Sequence, residues 1–200
     1  MKALYLTGGP AVGKSAIMSR LTSPYGRIES TPDEGQPRRE WLFQPAHRHD
    51  PGAIAVELGA RAGKHPAGFP GTDAMAMSAI VPVEKWIVSG VAAAEAPVLL
   101  GEGARLGVRR FVEALMAAEI ETHVVLVTAS PDIVERRCQE RGSHQKESWM
   151  RGQFTRSRNF FEYAEHAALE RPLLHVHEMS NLGSAGLQGC AERLAEIIGW

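Results

Sequence analysis

The chain has 200 residues, of which 44% are hydrophobic, and its formal net charge is −1. This length suits one globular domain with a substantial core, and the near-neutral charge excludes a strong overall attraction to nucleic acid or to a membrane surface. No apolar stretch approaches the roughly 18 residues that a membrane span requires. Cys138 and Cys190 lie far apart in sequence, as free thiols of a reducing compartment would. We therefore expect a soluble, cytoplasmic protein without a membrane partner.

The first predicted strand, residues 2–7, runs directly into a glycine-rich segment that precedes a predicted helix. Residues 8–15 read G-G-P-A-V-G-K-S and fit the phosphate-loop pattern G-x-x-x-x-G-K-[ST]. In such a loop several backbone N–H groups point at one phosphate cluster, and the helix N-terminus adds partial positive charge. A chance match is the alternative, but the flanking strand and helix favour function. The sequence thus predicts a nucleoside triphosphate site formed by Gly8, Ala11, Val12, Gly13, Lys14 and Ser15.

Two residues of this loop have chemical roles beyond their backbone. We expect Lys14 to reach the β- and γ-phosphates of ATP and to act in catalysis. We expect the hydroxyl group of Ser15 to bind Mg²⁺. ATP and Mg²⁺ are therefore the predicted cofactors.

A second strand is predicted at residues 25–31, and the amino-acid composition then changes. Six prolines and many glycines lie within residues 32–71, where residues 53–61 favour a short helix. A longer helix is predicted at residues 83–95 because Val83, Ile87 and Val91 recur at helical spacing. We expect residues 32–80 to form an insert that carries the acceptor.

The remaining predicted elements alternate between strand and helix. Strands are predicted at residues 97–100, 122–128 and 173–177, and helices at residues 105–119, 130–142, 147–169 and 187–198. Such alternation predicts a single α/β domain over residues 1–200, with a parallel sheet covered by helices on both faces.

Seven basic side chains lie between residues 136 and 158. Arginines around a transferring phosphoryl group stabilise its charge, and a closing lid excludes water. We interpret residues 137–160 as a basic lid; the alternative is a solvated helix surface. Arg137 and Arg141 lie four residues apart, so they share one helix face. The lid itself would carry Arg151, Arg156 and Arg158.

The acceptor is expected near the carboxyl ends of the strands, where the loops of such a sheet surround a ligand. Thr72 and Asp73 lie in a tight polar segment, and Asp73 is a candidate to accept a proton from an attacking hydroxyl group. The alternative is that either residue caps the next helix.

Three further residues are candidates for this region. Arg61 follows Glu57 by one helical turn, so it is either an acceptor ligand or half of a surface ion pair. Arg105 is a second candidate for acceptor binding. Glu102, at the end of the predicted third strand, is a candidate for Mg²⁺ binding or for the catalytic base.

Two histidine pairs have the residue types of metal ligands. They are His47 with His49, and His175 with His177. Neither pair completes a three- or four-ligand spacing along the sequence. The sequence therefore predicts no metal site at either pair.

The chain resembles the nucleoside and nucleotide kinase branch of P-loop proteins. The N-terminal loop, the Arg137 and Arg141 pair before a lid, and the β-α alternation carry this resemblance. It implies a five-stranded parallel sheet in the order 2-3-1-4-5, with Arg137 near the adenine or phosphates and Arg141 at the phosphates. Glu102 and Arg105 are similar to the Glu-Arg-Ser element of deoxynucleoside kinases, although two residues separate them here.

Three segments are similar to small P-loop kinases encoded by bacteriophages: residues 57–61, 69–77 and 145–159. Some kinases of that group phosphorylate 5-hydroxymethyluracil within DNA. This resemblance implies a modified pyrimidine in DNA as partner and acceptor.

Three functions therefore stay open at this point. The protein is a kinase for a free nucleoside or nucleotide, a kinase for a modified base in DNA, or a P-loop ATPase or switch without a dedicated acceptor. The compact size and the basic run favour phosphoryl transfer over switching.

Overall fold

The computed structural model describes residues 1–29, 36–44, 52–59, 71–143 and 145–200. The strands are β1 (Lys2–Thr7), β2 (Gly26–Glu29), β3 (Arg39–Phe43), β4 (Ala55–Leu58), β5 (Val98–Glu102), β6 (Glu121–Thr128) and β7 (Leu174–Ser180). The helices are α1 (Lys14–Thr22), α2 (Ile80–Val88), α3 (Val91–Glu95), α4 (Arg109–Ala117), α5 (Pro131–Glu140), α6 (Glu147–Ala168) and α7 (Ser184–Ile198), with a short 3-10 helix at Thr72–Ala74. Among these described helices, none combines the length and apolar character that crossing a membrane requires.

The strands form one mixed sheet in the order β2-β3-β4-β5-β1-β6-β7. Neighbours from β4 to β7 pair in parallel, whereas β3 pairs antiparallel with β4 and β2 antiparallel with β3. The predicted five-stranded parallel sheet in the order 2-3-1-4-5 is therefore wrong, because the sheet has seven strands and another order. Antiparallel neighbours need only a short connection, and β2 and β3 extend the sheet at one edge by antiparallel pairing.

The helix predicted at residues 53–61 is also wrong, because β4 occupies Ala55–Leu58 and all four of its residues are buried. A strand covered on both faces has no polar alternation, so its short sequence does not distinguish it from a helix. The glutamate of this strand pairs across the sheet, since the guanidinium group of Arg27 donates to Glu57 Oε2 at 2.8 Å and to Glu40 Oε2 at 2.5 Å. Tertiary pairing thus overrides the local pattern.

Two predicted helices also have different bounds in the structure. The helix predicted at residues 83–95 is two helices, because Gly90 adopts a left-handed conformation with φ of 80° between α2 and α3. The helix predicted from residue 105 begins at Arg109, because residues 103–105 form a loop that Asp73 holds.

The antiparallel strands are held to α2 and α3 by one carboxylate. Glu95 accepts two hydrogen bonds from the guanidinium group of Arg39, at 2.6 and 2.7 Å. It also accepts from the indole N–H groups of Trp41, at 3.0 Å, and Trp86, at 3.1 Å. This network fixes β3 against α2 and α3.

Each face of the sheet carries its own apolar cluster. Helices α2, α4 and α6 cover one face, over a cluster that includes Ala3, Tyr5, Leu99, Phe111, Val124 and Phe161. Helices α1 and α7 cover the other face, over a cluster that includes Leu4, Leu6, Ile17, Val125 and Leu194. Because both faces are covered, the polar loops lie at the ends of the strands, and the carboxyl ends of β1, β5, β6 and β7 meet at one edge.

Candidate active site

The predicted phosphate loop lies between the end of β1 and the start of α1. Gly8 has φ of 145°, and a Cβ atom there would lie 2.4 Å from the carbonyl oxygen of Val127. Gly13 has φ of 100°, and its Cβ would lie 2.2 Å from Asn181 Nδ2. Both positions therefore need glycine for backbone conformation and for space. The loop has the tight curvature that phosphate binding by backbone N–H groups requires.

Lys14 lies across this loop. Its Nζ donates to the carbonyl oxygens of Gly8 and Gly9, at 2.9 Å each. Burial lowers the pKa of Lys14, while the negative charges of Glu102 and Asp73 act in the opposite direction. A phosphate group at the loop would add negative charge beside this ammonium group and favour its charged form.

Two side chains from distant elements brace the loop. Arg137 on α5 donates to the carbonyl oxygens of Ala11, at 3.2 Å, and Val12, at 2.9 Å. Asn181, directly after β7, donates from Nδ2 to the Val12 carbonyl at 2.9 Å. Burial lowers the pKa of Arg137, and the neighbouring charges of Arg136 and Arg141 add to that effect. These contacts hold the backbone of the loop from its outer side.

Sequence reasoning missed Asn181 because the last strand was predicted to end at residue 177, whereas β7 continues to Ser180. A polar residue at the true carboxyl end of a parallel strand is the pattern that would have identified it. The side chain is 1% exposed, and within the described ranges its Oδ1 has no hydrogen-bond partner.

An open cavity of about 340 Å³ lies beside the loop. Its lining includes Gly13, Arg136, Arg137, Arg141 and Asn181. The structure therefore brings both arginines of the predicted pair next to the phosphate loop. The cavity is cationic along one side, which suits a negatively charged ligand.

The segment predicted to carry the acceptor packs against the carboxyl end of β5. The Thr72 hydroxyl donates to the carbonyl oxygen of Glu102 at 2.9 Å. Asp73 Oδ1 accepts from the backbone N–H groups of Ala104, at 2.8 Å, and Arg105, at 3.2 Å. Asp73 thus caps the loop after β5, and α2 has no side-chain cap. Four residues predicted for the site, Thr72, Asp73, Glu102 and Arg105, are therefore neighbours.

Glu102 ends β5 beneath this segment and is 2% exposed. Gly71 has φ of 64°, and a Cβ there would lie 2.6 Å from Glu102 Oε1. The neighbouring Tyr5 hydroxyl donates to the carbonyl of Gly103 at 2.8 Å, and burial raises the pKa of Tyr5. The backbone around Glu102 is thus fixed on several sides, which suits a preorganised site.

Of the two arginines predicted to bind the acceptor, Arg105 lies within the residues that the structure describes and Arg61 does not. Arg105 contacts the sulfur of Met77 through Nη1, and its buried Nε has no hydrogen-bond partner among the described residues. The predicted role of Arg61 in acceptor binding stays a prediction.

The predicted lid corresponds to the end of α5, a connection and the first part of α6. Arg151 donates to Glu147 at 2.7 Å, Arg158 donates to Glu178 at 3.2 Å, and Arg156 is exposed. Phe154 of α6 reaches the loop, because a Cβ on Gly9 would lie 2.2–2.5 Å from its ring carbons.

Sequence reasoning did not single out Phe154. It precedes three buried residues of α6, Ser157, Phe161 and Ala164, at the three- and four-residue spacing of one helix face. That periodicity within a basic run is the pattern that would have identified it.

The sequence was compared with known proteins. A sequence model of the P-loop Nucleotide Kinase3 family matches residues 1–179, which include the phosphate loop, the segment at Asp73, Glu102 and Arg137. A search of curated proteins returned no match. Such a family indicates nucleotide binding, typically with Mg²⁺, and nucleotide phosphotransfer in general terms. Since the match spans nearly the whole sheet together with the loop geometry described above, the chain belongs to the P-loop Nucleotide Kinase3 family.

Proposed function

We propose that this protein transfers the γ-phosphoryl group of ATP to a nucleotide-type acceptor. That acceptor is either 5-hydroxymethyluracil in DNA or a free nucleoside or nucleotide. The observation that carries the proposal is the contact of Lys14 Nζ with two carbonyl oxygens of the phosphate loop. The charges of Glu102 and Asp73 act on the same ammonium group.

The donor side of the reaction would use the loop and the neighbouring arginines. The backbone N–H groups of residues 8–15 would bind the phosphates of ATP, and Lys14 would neutralise the charge that develops on the transferring group. Arg137 and Arg141 line the adjacent cavity and would bind the same nucleotide.

Mg²⁺ fits the side chains that the loop and β5 provide. The Ser15 hydroxyl and the Glu102 carboxylate are oxygen donors, which this ion prefers, and Glu102 is buried at the carboxyl end of β5. When bound, Mg²⁺ supplies positive charge that offsets the charge of the phosphates. Ser15 and Glu102 are the residues that would hold it.

For an acceptor that attacks through a hydroxyl group, the acceptor side would use Asp73 as the general base; a nucleotide acceptor would attack through a phosphate oxygen and would need no base. Asp73 Oδ1 is fixed by two backbone N–H groups, which leaves Oδ2 for the acceptor. The acceptor hydroxyl oxygen bonds to the γ-phosphorus, and the bond from that phosphorus to the β–γ bridging oxygen breaks. ADP leaves with that oxygen, and the hydroxyl proton passes to the Asp73 carboxylate. Thr72 and Arg105 flank Asp73 and would position the acceptor.

The three phage-like segments support the DNA acceptor. The third of them, residues 145–159, leads into and forms the first part of α6, where Arg151 and Arg156 are exposed. Exposed cations of this kind suit contact with a phosphate backbone. For the DNA reaction we expect the KM for the DNA to rise steeply with salt concentration, because binding then releases counterions.

The test is transfer of labelled γ-phosphate from ATP to a panel of acceptors. The panel contains free nucleosides, nucleoside monophosphates, and matched DNA strands with and without 5-hydroxymethyluracil. Label in the modified strand alone assigns the DNA acceptor, and label on a free nucleoside or nucleotide assigns the small-molecule acceptor. Release of inorganic phosphate at the same rate with every acceptor or with none would contradict the proposal and favour an ATPase or switch.

A further inference from the structure

Three histidines and a glutamate form a cluster at the other end of the sheet from the phosphate loop. His123 on β6 pairs directly with His175 on β7, and the β6–β7 register continues with Val125 opposite His177. Glu121 precedes His123 by two residues, so strand alternation places all four side chains on one face. Leu4, the β1 partner of His123, precedes Gly8 by four residues, so the strand separates the two regions by about 13 Å.

The ligand atoms of three of these residues already lie close together. One oxygen of Glu121 and one ring nitrogen each of His123 and His175 are within 4.8 Å of one another. Zn–N distances of about 2.0–2.1 Å in a tetrahedral site place ligand atoms roughly 3.4 Å apart. Small side-chain rotations therefore suffice to close the site, because the paired strands already fix the backbone.

We propose that Glu121, His123 and His175 form a binding site for a late first-row divalent metal ion of the Zn²⁺ type. Two imidazoles and one carboxylate are a ligand set that Zn²⁺ accepts, with a fourth position left for water. The set differs from the all-oxygen environment that Mg²⁺ prefers, so this site would not compete for the ion of the phosphate loop.

His177 gives this site an outer partner. His123 Nε2 lies 3.2 Å from Glu121 Oε1, whereas His123 Nδ1 lies 3.1 Å from His177 Nε2. Ligand histidines of metal sites commonly donate their second N–H group to a fixed acceptor, which sets the tautomer and the ring orientation. In this arrangement His123 binds the ion through Nε2 and donates from Nδ1 to His177, which is a positioning residue.

Lys2 competes with a metal ion for the carboxylate. Its Nζ lies 3.6 Å from Glu121 Oε1 and also donates to the carbonyl of Ile197 at 3.3 Å. Both the Lys2 and the Glu121 side chains are more than one third exposed, so the ammonium group can move into water and the ion can enter from that side. The positive charge of Arg193 also acts on His177. Removing the charge of Lys2 should therefore strengthen metal binding.

The experiment is a Zn²⁺ titration of the metal-stripped full chain without nucleotide, followed by competition with a chromophoric chelator. We expect one competing site per chain. Glu121→Gln and His175→Asn should each weaken Zn²⁺ binding at least about tenfold, and His177→Asn about tenfold. His166→Gln is the matched control, because His166 is exposed on α6, and its Zn²⁺ affinity should equal that of the unchanged chain.

A variant that strengthens binding makes the test independent of folding defects. Lys2→Gln should raise the Zn²⁺ affinity several-fold, which loss of structure cannot produce. Co²⁺ added in place of Zn²⁺ should give visible absorption bands that His175→Asn removes. Absence of Zn²⁺ binding, or equal affinity in the Glu121, His175 and His166 variants, would overturn the proposal. Because no nucleotide is present, either result is independent of the kinase assay.

Discussion

The two candidate sites, at opposite ends of the sheet, differ in whether their residues are neighbours in the sequence. At the carboxyl end, one continuous segment, residues 8–15, supplies the phosphate loop and its lysine. At the amino end, the histidine cluster combines Glu121 and His123 with His175, which lies 52 positions beyond His123. The first arrangement is visible in a sequence because neighbouring residues make it. The second exists only because β6 and β7 pair in one register.

The two ends of the sheet suit ligands of opposite charge. Burial lowers the pKa of Lys14, and nearby carboxylates oppose that shift, so an anion would favour its charged form. Burial also lowers the pKa of His123, against the effect of Glu121. Neutral imidazole is the form that binds a metal cation. One end thus suits phosphate and the other suits a divalent cation.

The largest effect on this comparison is expected from Lys14→Ala. Transfer of γ-phosphate should fall about 10²–10³-fold, because the variant removes a cation that stabilises the transition state. Lys85→Ala is the matched control, since Lys85 is exposed on α2 and should retain normal transfer. Steady-state kinetics with a circular dichroism check of folding measures both. Normal turnover in Lys14→Ala would contradict the proposed role of the phosphate loop in phosphoryl transfer.

A pair of variants at Asp73 separates its two roles. Asp73→Asn keeps an oxygen that can accept from the N–H groups of Ala104 and Arg105 but removes the base, so kcat should fall about 10²-fold with little change in the KM for ATP. Asp73→Ala removes both roles and should lower the stability as well. An active Asn variant beside an inactive Ala variant would show that Asp73 only holds the loop.

Two adjacent glycines test how tightly the carboxyl end is packed. Gly8→Ala should lower the free energy of unfolding by about 3 kcal/mol, because φ is 145° and the new Cβ would meet the Val127 carbonyl. Gly9→Ala should cost less than about 1 kcal/mol, because its Cβ meets the Phe154 ring, which can rotate away. Denaturant unfolding measures both. Equal losses of unfolding free energy in the two variants would mean that the Val127 carbonyl of β6 does not restrict the loop.

Asn181→Ala should lower the stability less than Gly8→Ala and tests whether the carboxyl end also depends on a distant strand. Loss of the Nδ2 bond to the Val12 carbonyl should lower the free energy of unfolding by about 1–2 kcal/mol. Asn159→Ala, at an exposed position of α6, is the control and should change stability by less than about 0.5 kcal/mol. Thermal unfolding distinguishes the two, and a neutral Asn181→Ala would show that Arg137 alone braces the loop.

Much of the parallel part of the fold was predictable because its strands are short apolar runs between helices of regular period. The prediction failed at residues 53–61, where a buried strand with an internal glutamate has no periodicity of its own. It also failed on the strand count, since antiparallel pairing of β2 and β3 depends on partners that local sequence does not name. At the site, Asn181 and Phe154 were missed because their roles follow from what they touch.

The sequence by itself determined the phosphate loop, because the backbone conformation and the lysine that it needs are encoded in eight consecutive residues. Only the tertiary structure decided which carboxylates act on that lysine, since Thr72 and Asp73 pack against the carboxyl end of β5 and the loop after it. It alone also brought Glu121 and His123 beside His175. Local chain chemistry fixes conformation over a few residues, whereas strand pairing fixes neighbours that the sequence separates.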